Sequence, residues 1–234
     1  MEKAVYKRVL IKISGEALSK DGNPLDDGII AGVVSQIKKI REMGVEVGIV
    51  IGGGNFWRGR QGKSMDRSTA DHMGMLATVI NALALQDAFE KEGLQTRVMT
   101  ALEIARVAEP YIQRRAVRHL EKGRVVIFAC GTGNPYFSTD TGAALRANEI
   151  GAEVMLLAKN VDAVYTADPK KDPNAKRITD MPYIDLLAHN LTVMDAAAVS
   201  LCMENKLPVL VFGLNVEDGI VKACKGENLG TLIH

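Results

Sequence analysis

Lys12 stands inside VLIKIS, an otherwise apolar run. Lysine is almost never fully buried without a partner. It either snorkels to water at a strand end or supplies a fixed positive charge to an anion. Three further charged residues lie beside glycine-rich or helix-opening stretches: Arg58 in VIGGGNFWRG, Asp71 in ADHMGML, and Asp140 directly after GTGNPYFST. Glycine lets backbone N–H groups turn toward a ligand, and such groups form anion-binding nests. An arginine beside them adds a planar, bidentate phosphate partner. Asp140 can cap a helix, and a helix N-terminus beside a glycine loop is itself an anion site. Asp71 is open to two readings, a helix cap or an acceptor for sugar hydroxyls. These residue types suit phosphate binding and phosphoryl transfer. His72, His119, His189 and His234 have no ligand spacing and receive no role. Neither GxxxxGK[ST] nor a GxGxxG after the first strand occurs, against a Walker-type or dinucleotide site.

The elements that must position these residues are legible as an alternation. Short, continuously apolar runs at 8–13, 45–51, 124–130, 153–158 and 207–212 read as strands covered on both faces, which suits a parallel sheet. Helical patterns lie between them at 27–43, 71–91, 113–121, 140–150 and 195–205. In the first, Ile30, Val33, Val34, Ile37 and Ile40 form one apolar stripe and Gly44 ends it. Strands alternating with helices predict an α/β fold with a mostly parallel central sheet and helices on both sides, in one domain spanning 1–234. Residues 159–183, with Pro169, Pro173 and Pro182, break the rhythm as a long irregular connection or a small subdomain. The glycine loops follow strands, so all are expected on the edge where the strands' carboxyl ends lie. The helix at 71–91 is apolar on nearly all sides, which fits a central core helix or a two-fold subunit interface.

The chain's 234 residues are 47% apolar and 24% charged, with a formal net charge of +1. That balance gives no overall pull toward nucleic acid or an anionic membrane. No run approaches the ~18 apolar residues of a spanning helix, and the first residues carry no secretory apolar core. Cys130, Cys202 and Cys224 are widely spaced and outside any CxxC pair, so a cytosolic, reduced protein without a disulfide framework or zinc site is expected.

KISGEAL, VIGGGNFWRG, DHMGMLAT, GTGNPYFSTDT and VDAVYTADP together resemble the bacterial uridylate kinases of the amino-acid kinase superfamily. The likeness runs from Lys12 to the closing GTLI. It implies a three-layer αβα sandwich that phosphorylates UMP to UDP with ATP and Mg²⁺. It implies ATP contacts at Lys12, Ile13, Ser14, Gly15, Gly54 and Arg58, with Lys159, Asn160, Tyr165 and Asp168 around the adenine. UMP contacts are implied at Gly53, Asp71, Thr132, Gly133, Asn134, Pro135, Tyr136, Phe137, Ser138 and Thr139. Lys12 and Asp140 match positions linked to catalysis, Arg58 is expected beside them as a further catalytic cation, and Asp140 is either an orienter of Lys12 or a metal-side carboxylate, with no metal ligand assigned. The family also implies a homohexamer inhibited by UTP. Its GTP activation goes with a GFG stretch, whereas SKDGNPLDDG at 19–28 has no phenylalanine, so that activation is not carried over. Aspartate, glutamate, acetylglutamate and carbamate kinases are similar in framework and would make acyl phosphates instead.

Overall fold

The computed structural model describes residues 3–57, 64–159, 161–167, 172, 174–189 and 193–234. Nine strands form one sheet in the order β4 (Glu109–Pro110), β3 (Thr96–Thr100), β5 (Val125–Ala129), β2 (Glu46–Ile51), β1 (Arg8–Ile13), β6 (Val154–Lys159), β10 (Val209–Gly213), β11 (Thr231–Ile233) and β9 (Asp180–Met181). All neighbours are parallel except β10 and β11. A separate two-stranded ribbon pairs β7 (Val164–Tyr165) with β8 (Arg177–Ile178) inside the region read as irregular.

Strand side chains alternate between two cores. Val9, Ile11 and Ile13 of β1 face the first, which holds α1 (Asp27–Glu42), α2 (Arg67–Lys91) and α7 (Gly219–Cys224). Leu10 faces the second, with α3 (Gln113–Glu121), α4 (Thr139–Ile150), α5 (Tyr183–Ala188) and α6 (Ala196–Glu204). The same alternation runs through β2, β5, β6 and β10, giving the expected three layers. A strand covered on both faces has no polar side to spare, which is why these runs read as unbroken apolar sequence.

The helix starts differ from the sequence expectation in an informative way. α2 begins at Arg67, capped by the Asp66 carboxylate accepting from the Thr69 N–H at 3.0 Å. Asp71 therefore lies one turn inside the helix and is not its cap. α4 begins at Thr139, and Ser138 caps it by accepting from the N–H groups of Asp140 and Thr141. Asp140 is thus free of capping duty. No helix among the described residues is long and apolar enough to cross a membrane.

Candidate active site

The parallel neighbours β5, β2, β1 and β6 bring the loops at 130–138, 52–57, 14–16 and beyond 159 to one edge of the sheet. The first two face each other across a cleft of about 560 Å³. Gly53, Gly54 and Trp57 form one wall, and Arg67, Asp71, Gly74 and Thr78 of α2 form the floor. Thr132, Asn134, Tyr136, Phe137, Ser138 and Thr139 form the opposite wall. Gly133 backs onto Ala101 and Pro135 stands outside the wall, so eight of the ten UMP positions implied by resemblance border the cleft.

Close backbone approach explains the glycines. A Cβ on Gly15 would lie 2.4 Å from the Gly52 carbonyl oxygen, and one on Gly53 would lie 2.8 Å from the Gly74 carbonyl oxygen. The loop after β1 thus passes against the loop after β2, which in turn rests on α2. Two buried side chains of α2 hold this arrangement. Asn81 donates to the Gly52 carbonyl at 2.6 Å and to Asn55 Oδ1 at 2.8 Å. The Thr78 hydroxyl accepts from the Cys130 N–H at 2.8 Å and donates to the Met75 carbonyl at 2.6 Å. Cys130 keeps φ at +66°, a region that favours glycine.

Lys12 leaves the second face of β1 just before its end. Its ammonium lies 2.9 Å from Asp140 Oδ1, with both side chains largely buried. Lys159, at the end of the neighbouring β6, approaches the other oxygen of Asp140 at 3.0 Å and also donates to the Val193 carbonyl. One carboxylate therefore bridges two ammonium groups. Burial pushes the Asp140 carboxyl upward, but the two lysines outweigh it and hold the group below its ordinary range. Lys159 is lowered from its usual value, first by burial and then by Lys12, against the opposing pull of Asp140. A paired cation in low dielectric interacts more strongly with a phosphate than it would in water.

Asp195, at the start of α6, ties this cluster down. It accepts from the hydroxyls of Ser138 and Thr141 and caps α6 through the Ala198 N–H. Asp71 Oδ2 accepts from the Tyr136 N–H at 2.8 Å and pairs with Arg67 at 2.8 Å, which draws the 131–138 loop onto α2. The Ile13 carbonyl accepts from the Gly52 N–H at 2.9 Å, and Ser14 precedes the 3-10 turn Gly15–Leu18. Tyr165 donates to Asp162 at 3.1 Å and is not part of the cleft wall. Arg58, Asn160 and Asp168 lie outside the described residues.

The resemblance puts Lys159 near the adenine, and the sequence alone gives no role to Asp195, Thr78 or Asn81. Asp195 had a signal, since it opens the helical run AAAVSLCME as a cap should. Thr78 and Asn81 had a weaker one, as polar residues on a helix face that otherwise points into the core. The partner of Lys12 could not be read from spacing, because 128 positions separate it from Asp140.

Residues 7–213 match the amino acid kinase family. The chain belongs to that family. A UMP kinase from Bacillus anthracis is 42% identical with a TM-score of 0.94, covering 98% of this chain and 96% of its own. A UMP kinase from Ureaplasma parvum is 40% identical with a TM-score of 0.93, covering 100% and 99%. A uridylate kinase from Archaeoglobus fulgidus is more distant, 28% identical with a TM-score of 0.75 over 97% and 99%. Within the family, the likeness to UMP kinases thus extends over the whole described fold.

Proposed function

We propose that this chain transfers the γ-phosphoryl group of ATP to UMP, giving UDP and ADP in pyrimidine nucleotide synthesis. The end-to-end similarity to UMP kinases supports the acceptor, and one geometric observation supports the chemistry. It is the bridge from Lys12 through Asp140 to Lys159, adjoining Thr139 on the cleft wall.

A phosphate monoester has a second pKa of about 6, so UMP is largely dianionic at neutral pH and needs no general base. A UMP phosphate oxygen attacks the γ-phosphorus. The bond from that phosphorus to the β–γ bridging oxygen breaks, and the oxygen leaves with the electron pair as part of ADP. Catalysis then consists of positioning and charge neutralisation. Lys12 and Lys159 offset the repulsion between the two anions, Arg58 adds a further cation, and Asp140 orients the lysines. Thr132 and its neighbours hold the uridine, and Asp71 accepts from the ribose. Ile13, Ser14, Gly15 and Gly54 shape the ATP side, with Asn160, Tyr165 and Asp168 around the adenine.

Magnesium prefers oxygen ligands, commonly one or two carboxylates plus substrate phosphates. Among the described residues no group of three or more His, Cys, Asp or Glu side chains could hold an ion. Asp140 is engaged by two ammonium groups, and Asp195 by two hydroxyls and an N–H. Neither carboxylate is free for an ion in this arrangement, and in this reading magnesium arrives bound to ATP.

The reading extends to a single domain over residues 1–234, located in the cytoplasm and assembled as a homohexamer. Three buried, unpaired cysteines suit a reducing compartment. Inhibition by UTP belongs to it, since UTP presents the same base and ribose as UMP.

The test is ADP release with ATP and a panel of acceptors: UMP, CMP, aspartate, glutamate and acetylglutamate. Turnover is expected with UMP, and turnover with an amino acid alone would overturn the assignment. Lys12→Ala should cut kcat at least a hundredfold, the order seen when one preorganised charge-stabilising donor is removed. Its UMP affinity should stay within a few-fold of wild type; near-normal kcat with a raised KM would remove Lys12 from the transfer step.

A further inference from the structure

Arg146 is a buried cation that the chemistry above does not use. It projects from α4 with its side chain only 6% exposed. Burying a guanidinium is costly unless it is paired and its N–H groups find acceptors. Here Nη1 pairs with Glu149, and the guanidinium carbon lies 3.8 Å from the centre of the Tyr111 ring. The Tyr111 hydroxyl donates to the same Glu149 carboxylate at 2.6 Å. Those contacts already satisfy the charge. The remaining one leaves the cluster: Nη2 donates to the Gly131 carbonyl at 3.1 Å, in the loop that forms the UMP wall.

That carbonyl belongs to a peptide with a defined sense. The C=O of Gly131 and the N–H of Thr132 share one plane and point in opposite directions across a trans bond. Drawing the carbonyl toward Arg146 therefore turns the Thr132 N–H away from it. Among the described residues that N–H meets no acceptor, although Thr132 borders the cleft. The adjoining conformations need such support, because Cys130, Gly131 and Gly133 all have positive φ, at +66°, +54° and +80°. The loop approaches α4 closely enough that a Cβ on Gly142 would lie 3.0 Å from Gly131 Cα.

We propose that Arg146 is a positioning residue for the acceptor nucleotide. By holding the Gly131 carbonyl from behind, it presents the Thr132 N–H to UMP. This rests on the reading of the cleft as the UMP site. Arg146→Met should raise KM for UMP at least tenfold while KM for ATP stays within twofold. Arg146→Lys, which keeps a donor for the carbonyl, should recover most of the loss. Tyr111→Phe, which removes a bond to Glu149 and leaves the Gly131 contact in place, should leave KM for UMP unchanged. In the wild-type protein, the Thr132 amide resonance should move on titration with UMP and stay in place with ATP. That measurement holds even where Arg146→Met does not fold. An unchanged KM for UMP in Arg146→Met, equal loss toward both substrates, a Tyr111→Phe effect as large as that of Arg146→Met, or an unresponsive Thr132 amide would each overturn the role. Wild-type turnover of UMP alongside any of these would remove Arg146 alone. Absence of wild-type turnover with UMP would remove the cleft assignment and this role together.

Discussion

Asp140 is the residue on which the site's electrostatics turn. Two ammonium groups share its oxygens in a largely buried setting, so removing its charge leaves two cations unbalanced. Breaking a buried pair from one side typically costs about 3–5 kcal/mol. Asp140→Asn should therefore lower both turnover and stability. The pH dependence has a definite sign. A carboxyl held below its ordinary value of 3.8 in the folded protein contributes stability above the unfolded value, and loses it as pH falls through the folded one. Wild-type urea midpoints should accordingly fall steeply from about pH 5 downward, where unfolded carboxylates begin to take up protons. Asp140→Asn, starting lower, should show a shallower acid limb. Parallel acid limbs in the two proteins would mean that the Asp140 bridge contributes nothing to acid sensitivity.

Loops and helices set the cleft's dimensions, and here the glycines can be tested. The Gly53 loop rests on α2 with no room for a methyl group: a Cβ would stand 2.8 Å from both the Gly74 carbonyl oxygen and Ala77 Cβ. Backbone cannot yield as a flexible side chain can, so Gly53→Ala should destabilise by about 1–3 kcal/mol through overpacking and raise KM for UMP. Gly32, exposed in α1 with nothing within 4 Å of its Cβ position, provides the contrast. Gly32→Ala should stabilise by about 0.5–1 kcal/mol at unchanged KM, from helix propensity alone. Denaturant titration with initial-rate kinetics separates the two. This contrast also marks what was legible. The sequence shows that GGG follows a strand, and glycine loops after parallel strands belong on one edge. It does not distinguish a glycine that something must approach from one that is merely small. Nor does it reveal Asn81, 26 positions beyond Asn55, reaching back to hold the loop from beneath.

Across the whole molecule, strong periodicity was readable and weak periodicity was not. Five buried strands and five helices fall close to their expected positions because continuous apolar runs and 3.6-residue stripes are physical requirements of a sheet covered on both faces. β3 was missed: TRVMT is short and carries two threonines and an arginine, so its place beside β5 is set by tertiary pairing. α7 and β11 escaped for the same reason, at six and three residues. α2 leaves the largest consequence. Its Met75, Val79, Ala82, Leu85 and Phe89 enter the first core. Met73, Leu76 and Ile80 form a stripe on the roughly opposite side, with Leu76 50% and Ile80 48% exposed. One face of the helix thus meets the core reading, and the subunit-interface reading, if it holds, falls on the other face. Exposed apolar stripes on a polar surface mark association sites, and a closed two-fold contact would set this stripe against its own copy. A stable contact buries about 1,200–2,000 Å² in total, so it must extend beyond these three side chains. Charge placed at the centre of such a contact should nevertheless break it. Sedimentation of the wild-type protein at micromolar concentration should show an oligomer, with a hexamer as the proposed state. The Leu76→Glu/Ile80→Glu double variant should fall to a smaller species while keeping its far-UV spectrum. A monomeric wild type, or a double variant of unchanged mass, would leave the stripe without a self-association role.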